Sequence, residues 1–269
     1  MKYYDSSKKQ LIYIRKRATS KYWDKYWKTE NIRERIFNSG RHSFIARITR
    51  KYLHPSEGPI LEGGCGLGFK VESLKLNGYK CIGIDNARKI VQILQDDIPE
   101  LDIRYGDIRK LNFSDNYFTG YWSIGVIEHY WNGYDDIANE MLRVIRQGGY
   151  LFLLFPYMSY FRRLKFKIGI YPKFRNQSTH NFYQFALNAA SVRLYFEELE
   201  FTLINTYYRG VMYGLKDEIK CASKFIDIIL SHMDYNFLTK LLWSVFSNAV
   251  DYLLGSVFGH TILFVFQKK

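Results

Sequence analysis

The chain has 269 residues, 47% of them hydrophobic and 18% aromatic, which is enough apolar material for one large α/β domain or two small ones with a buried core. Cys65, Cys81 and Cys221 are too scattered for a disulfide framework or paired metal ligands, and the N-terminus lacks the apolar run of a secretory signal, so a cytoplasmic setting is expected and no metal. The formal net charge of +13 is regional: residues 1–51 hold 15 Lys/Arg against 4 Asp/Glu and residues 162–175 hold 6 against none, which points to a surface for phosphate, RNA or anionic lipid, or else to solvated helix faces.

The pattern along the chain predicts a helix over 20–52 with Trp23, Trp27 and Phe37 interleaved, ending before Pro55. Strand and helix then alternate. "PILE" is a short apolar strand, "FKVESLKLNG" a helix closed by Gly78, "KCIGID" a second strand, 86–96 a helix, and "LDIRYGD" and 119–124 two further strands. "DDIANEMLRVIRQGG" places Ile137, Met141, Leu142 and Ile145 on one helical face with Gly148 at its end, and "YLFLLFP" is a strand. Such alternation implies a parallel sheet covered on both faces. Beyond a basic stretch ending at Arg175, a helix near 182–198 and the strands "EFTLINTYY" and "GHTILFVFQ" are predicted.

Between the last two strands lies an apolar insertion, about 214–258, with Lys240, Ser244, Ser247, Asn248 and Asp251 recurring on one helical face. No stretch in it reaches 18 apolar residues, so it reads as an amphipathic helix pair instead of a membrane span. Such a pair could pack as an ordinary hairpin, cap the site, form a dimer interface or lie on a bilayer surface.

The segment "ILEGGCGLG" sits where the first strand of the alternating block gives way to a helix, the place where backbone amides converge on a ligand. Glycines 64, 66 and 68 give GxGxG, but a dinucleotide fingerprint needs a glycine at 69, where Phe69 stands, and no GxxxxGK[ST] occurs. An NAD site and a P-loop are thus disfavoured.

Together, "ILEGGCGLG", "GIDN", "GDIRKLNFSDNYFTGYWSIGVIEHY" and "EMLRVIRQGGYLFLLFP" resemble the class I S-adenosylmethionine-dependent methyltransferases of the type 11 branch, over about residues 58–156. The resemblance implies a Rossmann-like doubly wound sheet of seven strands, mostly parallel with the last antiparallel. It divides the chain into an N-terminal basic helical segment (1–54), a cofactor-binding core (55–156) and a C-terminal half with a substrate-side cap (157–269). It further implies S-adenosylmethionine as cofactor, S-adenosylhomocysteine as product, and a cofactor set of Glu62, Gly63, Gly64, Cys65, Gly66, Gly68, Asp85, Asn86, Asp107, Ile108 and Ser123. The glycines let backbone approach the methionyl part. Asp85 would accept from the ribose hydroxyls, Asp107 from the adenine amine with the Ile108 backbone reading the ring, and Glu62 would lie near the methionyl ammonium. Gly63 stands where relatives commonly carry an apolar side chain, and Asn86 replaces a frequent Ser while still suiting an N-cap.

The acceptor is less legible. The [ND]PP[YF] and Pro-Cys sequences of nucleobase methyltransferases are absent. His129 could act as a base oriented by Glu128, or be a structural hydrogen-bonding residue among aromatics; His180 is a second candidate. In the fold implied, the two basic segments flank the substrate mouth. A small anionic acceptor such as a phosphate-bearing sugar or lipid intermediate is therefore expected, with an RNA methyltransferase and a non-catalytic cofactor-binding scaffold as the alternatives. Contact with a membrane surface would run through the 214–258 helices, and the oligomeric state is open.

Overall fold

A computed structural model of the chain describes residues 1–38, 43–175, 179–219, 224, 226 and 237–269. The chain opens with strands β1 (Lys2–Asp5) and β2 (Gln10–Ile14) and helices α1 (Ser20–Tyr26), α2 (Ile32–Asn38) and α3 (Phe44–Thr49). The alternating block follows as β3 (Ile60–Gly63), α4 (Phe69–Lys75), β4 (Cys81–Asp85), α5 (Arg88–Asp97), β5 (Asp102–Tyr105), β6 (Phe118–Ile124), α6 (Asp135–Val144) and β7 (Ile145–Pro156). Next come α7 (Tyr160–Lys167), β8 (Phe182–Ala186), α8 (Ala189–Glu198), β9 (Phe201–Arg209), α9 (Val211–Glu218), α10 (Phe237–Phe258) and β10 (Thr261–Lys268).

Seven strands form one sheet in the order β5-β4-β3-β6-β7-β10-β9. The first five run parallel, and β10 lies antiparallel to both β7 and β9. Two apolar layers sandwich it, so the central strands are buried on both faces and read as continuous apolar runs. Trp122 of β6 shows how alternate residues serve opposite layers: it stacks on Phe152 at 4.5 Å while its indole N–H donates to Thr49 Oγ1 of α3 at 3.0 Å. Its neighbour Tyr121 enters the other layer. Chain order reverses between β3 and β6, which places the ends of β3, β4 and β6 around one crevice, the usual ligand position in such sheets.

The predicted helix over 20–52 is three short helices. Thr19 and Ser43 cap α1 and α3, each accepting a backbone N–H two to three residues into its helix. The predicted helix near 182–198 begins only at Ala189, because 182–186 is β8, which pairs antiparallel with β2 in a separate three-stranded sheet β1-β2-β8. The helix predicted through Gly148 ends at Val144, and Ile145 already pairs with Phe118 of β6. In the insertion, the "FIDIILSHM" stretch apart from Ile226, and Cys221, lie outside the described residues.

In α10 two residues of the expected polar face, Asn248 and Asp251, are turned inward. Asn248 Oδ1 accepts from Arg209 at 2.6 Å and from Arg47 at 3.0 Å, while Asp251 accepts the Val211 N–H at 2.9 Å and pairs with Arg209 at 3.1 Å. Val245, Phe246, Tyr252 and Leu253 are left exposed. Among the described residues no helix is long and apolar enough to cross a membrane.

Candidate functional site

The glycine loop leaves β3 with positive φ at Gly64 (77°), Gly66 (51°) and Gly68 (73°), conformations L side chains rarely adopt. Space forbids side chains there as well: a Cβ on Gly64 would lie 2.6 Å from Val126 and one on Gly68 2.4 Å from Ile103. Gly63, the departure noted in the sequence, is matched by Tyr121, whose hydroxyl would sit 2.0 Å from a Cβ at that position. The tyrosine of the neighbouring strand fills the volume that a side chain at 63 would need.

Asp85 ends β4 directly beneath this loop. Its Oδ2 accepts the Gly66 N–H at 2.7 Å and its Oδ1 accepts the Ala87 N–H at 2.8 Å, so one carboxylate ties the loop to the start of α5. Burial raises its pKa, and those backbone N–H groups oppose the rise. Asn86 follows in the lining of the cleft. The remaining free N–H groups of α5 are capped from another element: Asp24 of α1 accepts from Lys89 and Ile90 at 3.1 and 3.4 Å. With the Trp27 ring lying over Gly66, α1 covers the mouth of the loop.

A cleft of about 980 Å³ runs from Gly64, Gly66 and Asp85 past Ile108 to Glu128, His129, Trp131 and Tyr183. This is at the upper end of the size of small-molecule sites, with room for a nucleoside cofactor beside a second molecule. Its aromatic wall includes Trp23, Tyr26 and Trp27 of α1. The carboxylate of Asp107 is held below the ordinary carboxylate range by a bidentate contact with Arg109, at 2.6 Å to Nη2, and is not part of the lining. His180 is exposed on the turn 179–181, also away from the lining.

His129 Nδ1–H donates to the Tyr183 carbonyl at 2.7 Å, and its ring meets Trp23 and Tyr183 edge-on at 5.2 and 5.1 Å. A carbonyl only accepts, so the neutral ring carries its proton on Nδ1 and keeps a lone pair on Nε2. Burial lowers its pKa and favours that neutral form. Glu128 is adjacent in sequence, yet no carboxylate bond orients His129. The orienting group is the backbone of β8, the strand the sequence reading took for helix.

Four buried side-chain oxygens have no hydrogen-bond partner among the described residues; three belong to predicted site residues, Glu62 Oε2 in β3, Ser123 Oγ in β6 and Glu128 Oε2 in the turn after β6, and of these three Glu128 lines the cleft. Orphaned polar atoms of this kind are rare in folded cores and call for a water, an ion or a ligand group as partner. Cys65 is buried as well, and its thiol is pushed well up by burial. Burial also pushes both the Glu62 and Glu128 carboxyls up to about 8.

The pH dependence of stability follows from those two acids. Both are protonated in the folded chain at neutral pH but ionised in the unfolded chain above its ordinary value of 4.5, so raising the pH from about 4.5 to 8 favours unfolding. Denaturant midpoints should fall across this range, by the equivalent of up to about 5 kcal/mol for each acid. Glu62→Gln should remove part of the slope. A flat profile from pH 5 to 8 would mean that neither acid is held protonated.

The basic segment 162–175 is divided: Arg163, Lys167, Lys173 and Arg175 are exposed, whereas Arg162 and Lys165 turn inward. Arg162 is 1% exposed and bonds Asp217 (3.1 Å), Glu218 (3.0 Å), the Tyr157 carbonyl (2.7 Å) and His260 Nδ1 (2.9 Å). Lys165 and Lys2 pair with Glu218 at 2.6 and 2.8 Å, and Tyr171 donates to the same carboxylate. Burial and the Arg162 charge push His260 down to about 4. The basic residues that line the cleft are exposed Arg17 and Arg109, the latter paired with Asp107, while exposed Arg15 lies over the ring of Tyr183, another lining residue, at 5.8 Å. Asp135 and Asp136 line it too, in the first turn of α6, where the helix N-terminus offsets negative charge.

Residues 61–153 match a family described as a methyltransferase domain. Over 155 residues the chain is 28% identical to a probable S-adenosylmethionine-dependent methyltransferase of Mycolicibacterium smegmatis, a match spanning 58% of this chain and about half the length (55%) of that relative. Among solved structures, a SAM-dependent methyltransferase from Archaeoglobus fulgidus superposes with a TM-score of 0.53 at 17% identity, over 90% of this chain and all (100%) of the other. The Haemonchus contortus phosphoethanolamine N-methyltransferase 2, solved with phosphomonomethylethanolamine and S-adenosylhomocysteine, superposes at 0.51 and 16% identity, over 83% of this chain and 52% of that one. The likeness to both structures is one of fold.

Proposed function

We propose that this chain, whose residues 61–153 match a methyltransferase domain, is a class I S-adenosylmethionine-dependent methyltransferase that transfers a methyl group directly to a small acceptor bearing a negative group. The observation that carries the reading is one cleft joining the glycine loop and Asp85 to the His129 and Tyr183 wall, with Arg17 and Arg109 in its lining and Arg15 over the Tyr183 ring. The cofactor, when bound, supplies an electrophilic methyl on a sulfonium.

The residues present fit that cofactor. Gly64, Gly66 and Gly68 give the loop the positive φ it needs to turn its backbone to the cleft, Glu62 at the end of β3 keeps an unpaired oxygen for an ammonium, and Asp85 retains lone pairs for ribose hydroxyls beyond those its two backbone donors use. Asn86, Ile108 and Cys65 complete the set, with Asp107 reaching an adenine amine once it leaves Arg109. On the acceptor side, neutral His129 presents a lone pair suited to taking a proton from a hydroxyl or amine as the methyl arrives. Glu128, protonated, can donate a hydrogen bond to the acceptor. In this reading the transfer is direct, with no metal in the step.

A phosphate-bearing sugar or lipid intermediate fits the basic rim, and the Haemonchus structure is a case of this fold holding a phosphate-bearing small molecule. The test is transfer of labelled methyl to phosphorylated sugars, phospholipid headgroups and bulk RNA in parallel. Turnover on RNA alone would replace the small-acceptor reading by the RNA one, and cofactor binding without turnover on any acceptor would favour a scaffold. Replacing Arg15, Lys16 and Arg17 together with alanine should raise KM for an anionic acceptor roughly three- to thirtyfold, exposed charges being individually weak. The dissociation constant of the cofactor should stay put. An unchanged KM would make the rim charge a solvated face.

A further inference from the structure

Helix α10 buries its polar edge and exposes an apolar one. Asn248 and Asp251 face Arg209, Arg47 and the start of α9, whereas Val245, Phe246, Ala249, Tyr252 and Leu253, spaced i, i+1, i+4, i+7 and i+8, form an outward row. Tyr252 is 88% exposed and Leu253 72%. No acidic side chain interrupts this row, because the one acid of α10, Asp251, is turned inward.

Helix α7, which meets α10 at the Phe161–Phe258 ring contact of 5.2 Å, repeats the arrangement with cations added. Its outer side carries Tyr160, Arg163, Leu164, Lys167 and Ile168, with Leu164 52% and Ile168 64% exposed. The next loop adds exposed Ile170, Lys173 and Arg175, and residues 157–175 hold no acid. Arg162 and Lys165 turn inward to Asp217 and Glu218, so the exposed members are the ones left to act on a partner.

We propose that the outer faces of α7 and α10 seat the protein on an anionic phospholipid surface. Apolar and aromatic side chains interleaved with Arg and Lys on one helix face are what an interfacial helix needs: the apolar groups enter the acyl boundary while the cations meet lipid phosphates. A nucleic acid would satisfy the cations but leave Leu164, Ile168 and Leu253 in water. A second copy of this chain would bring the same positive charge to α7 and repel it. The surface lies outside the cleft lining, so the inference does not depend on methyl transfer, though it would place a lipid-linked acceptor within reach.

The experiment is cosedimentation of the full chain, without cofactor, with vesicles of phosphatidylglycerol and phosphatidylcholine against vesicles of phosphatidylcholine alone. Binding is expected only to the former and should weaken with salt. Arg163→Ala with Lys167→Ala should lower partitioning roughly tenfold or more, each cation near an anionic surface contributing about fivefold. Leu164→Glu with Ile168→Glu, and separately Leu253→Glu, should abolish it while the circular dichroism spectrum and thermal midpoint stay unchanged. Equal binding to neutral vesicles would overturn the electrostatic part. No vesicle binding, together with a dimer that Leu253→Glu dissociates or with RNA binding lost in the Arg163/Lys167 variant, would overturn the proposal and assign the face to that partner.

Discussion

Arg162→Ala is expected to lower the unfolding free energy by about 3 to 5 kcal/mol, the cost of stranding a buried charge partner. Burial alone would raise the Asp217 and Glu218 carboxyls, yet Lys2 and Arg162 together hold both below the ordinary carboxylate range. Glu218 has a side chain only 2% exposed, so removing the guanidinium leaves it with Lys2, Lys165 and the Tyr171 hydroxyl. Asp217 also accepts from the Tyr13 hydroxyl at 2.9 Å. The network therefore joins the N-terminal hairpin to α7, α9 and the start of β10, four elements distant in sequence. Urea unfolding should show the loss, whereas Arg163→Ala, one position along and exposed, should stay within about 0.5 kcal/mol. Equal effects at the two positions would mean that the network adds nothing beyond solvated charge.

The same residues show what could and could not be read in advance. "PILE", "KCIGID" and "YLFLLFP" announced themselves because a parallel strand covered on both faces must be apolar along its whole length, and because the turns between strand and helix carry glycines that the ligand site also requires. The glycine loop, Asp85 and the strand order rest on such local rules. The hairpin β1–β2 and its partner β8 do not: "QLIYI" and "FYQFA" are short, separated by some 170 residues, and acquire their meaning only by pairing with each other. Tyr183 could not be named as the group that fixes His129 until that pairing was known.

Charge was misleading for a related reason. A count along the chain sees Arg162, Arg163, Lys165 and Lys167 as one block, but a helix distributes alternate members to opposite sides. Two turn toward Asp217 and Glu218, more than 50 residues downstream, and two toward solvent. The amphipathic pattern of α10 was legible in period but not in sense, since "polar outward" holds only where no buried cation such as Arg209 waits for Asp251. The aromatics of α1 were visible as a cluster. That Asp24 among them would cap α5 follows from the fold, which brings a carboxylate to N–H groups that Ala87, at the N-cap, cannot satisfy.

Asp85→Ala is expected to weaken cofactor binding by about 1.5 to 3 kcal/mol, or roughly ten- to 150-fold in Kd, the range for hydrogen bonds to a charged group. The residue does two things at once. Its lone pairs left over from Gly66 and Ala87 face the cleft for ribose hydroxyls, and the two backbone bonds it accepts, at 2.7 and 2.8 Å, hold the loop closed on α5. Alanine removes both functions, so stability should fall as well, but modestly, because the carboxylate's own burial is unfavourable and its loss relieves that cost. Asp24→Ala separates the two functions. It takes away the other α5 cap, for a loss of about 1 kcal/mol in stability, and leaves the Asp85 carboxylate in place. If cofactor affinity falls equally in both variants, the loop geometry governs binding and Asp85 needs no ribose contact. If it falls only in Asp85→Ala, with both variants folded by circular dichroism, the carboxylate itself holds the cofactor. An unchanged Kd in a folded Asp85→Ala would move the ribose to another acid.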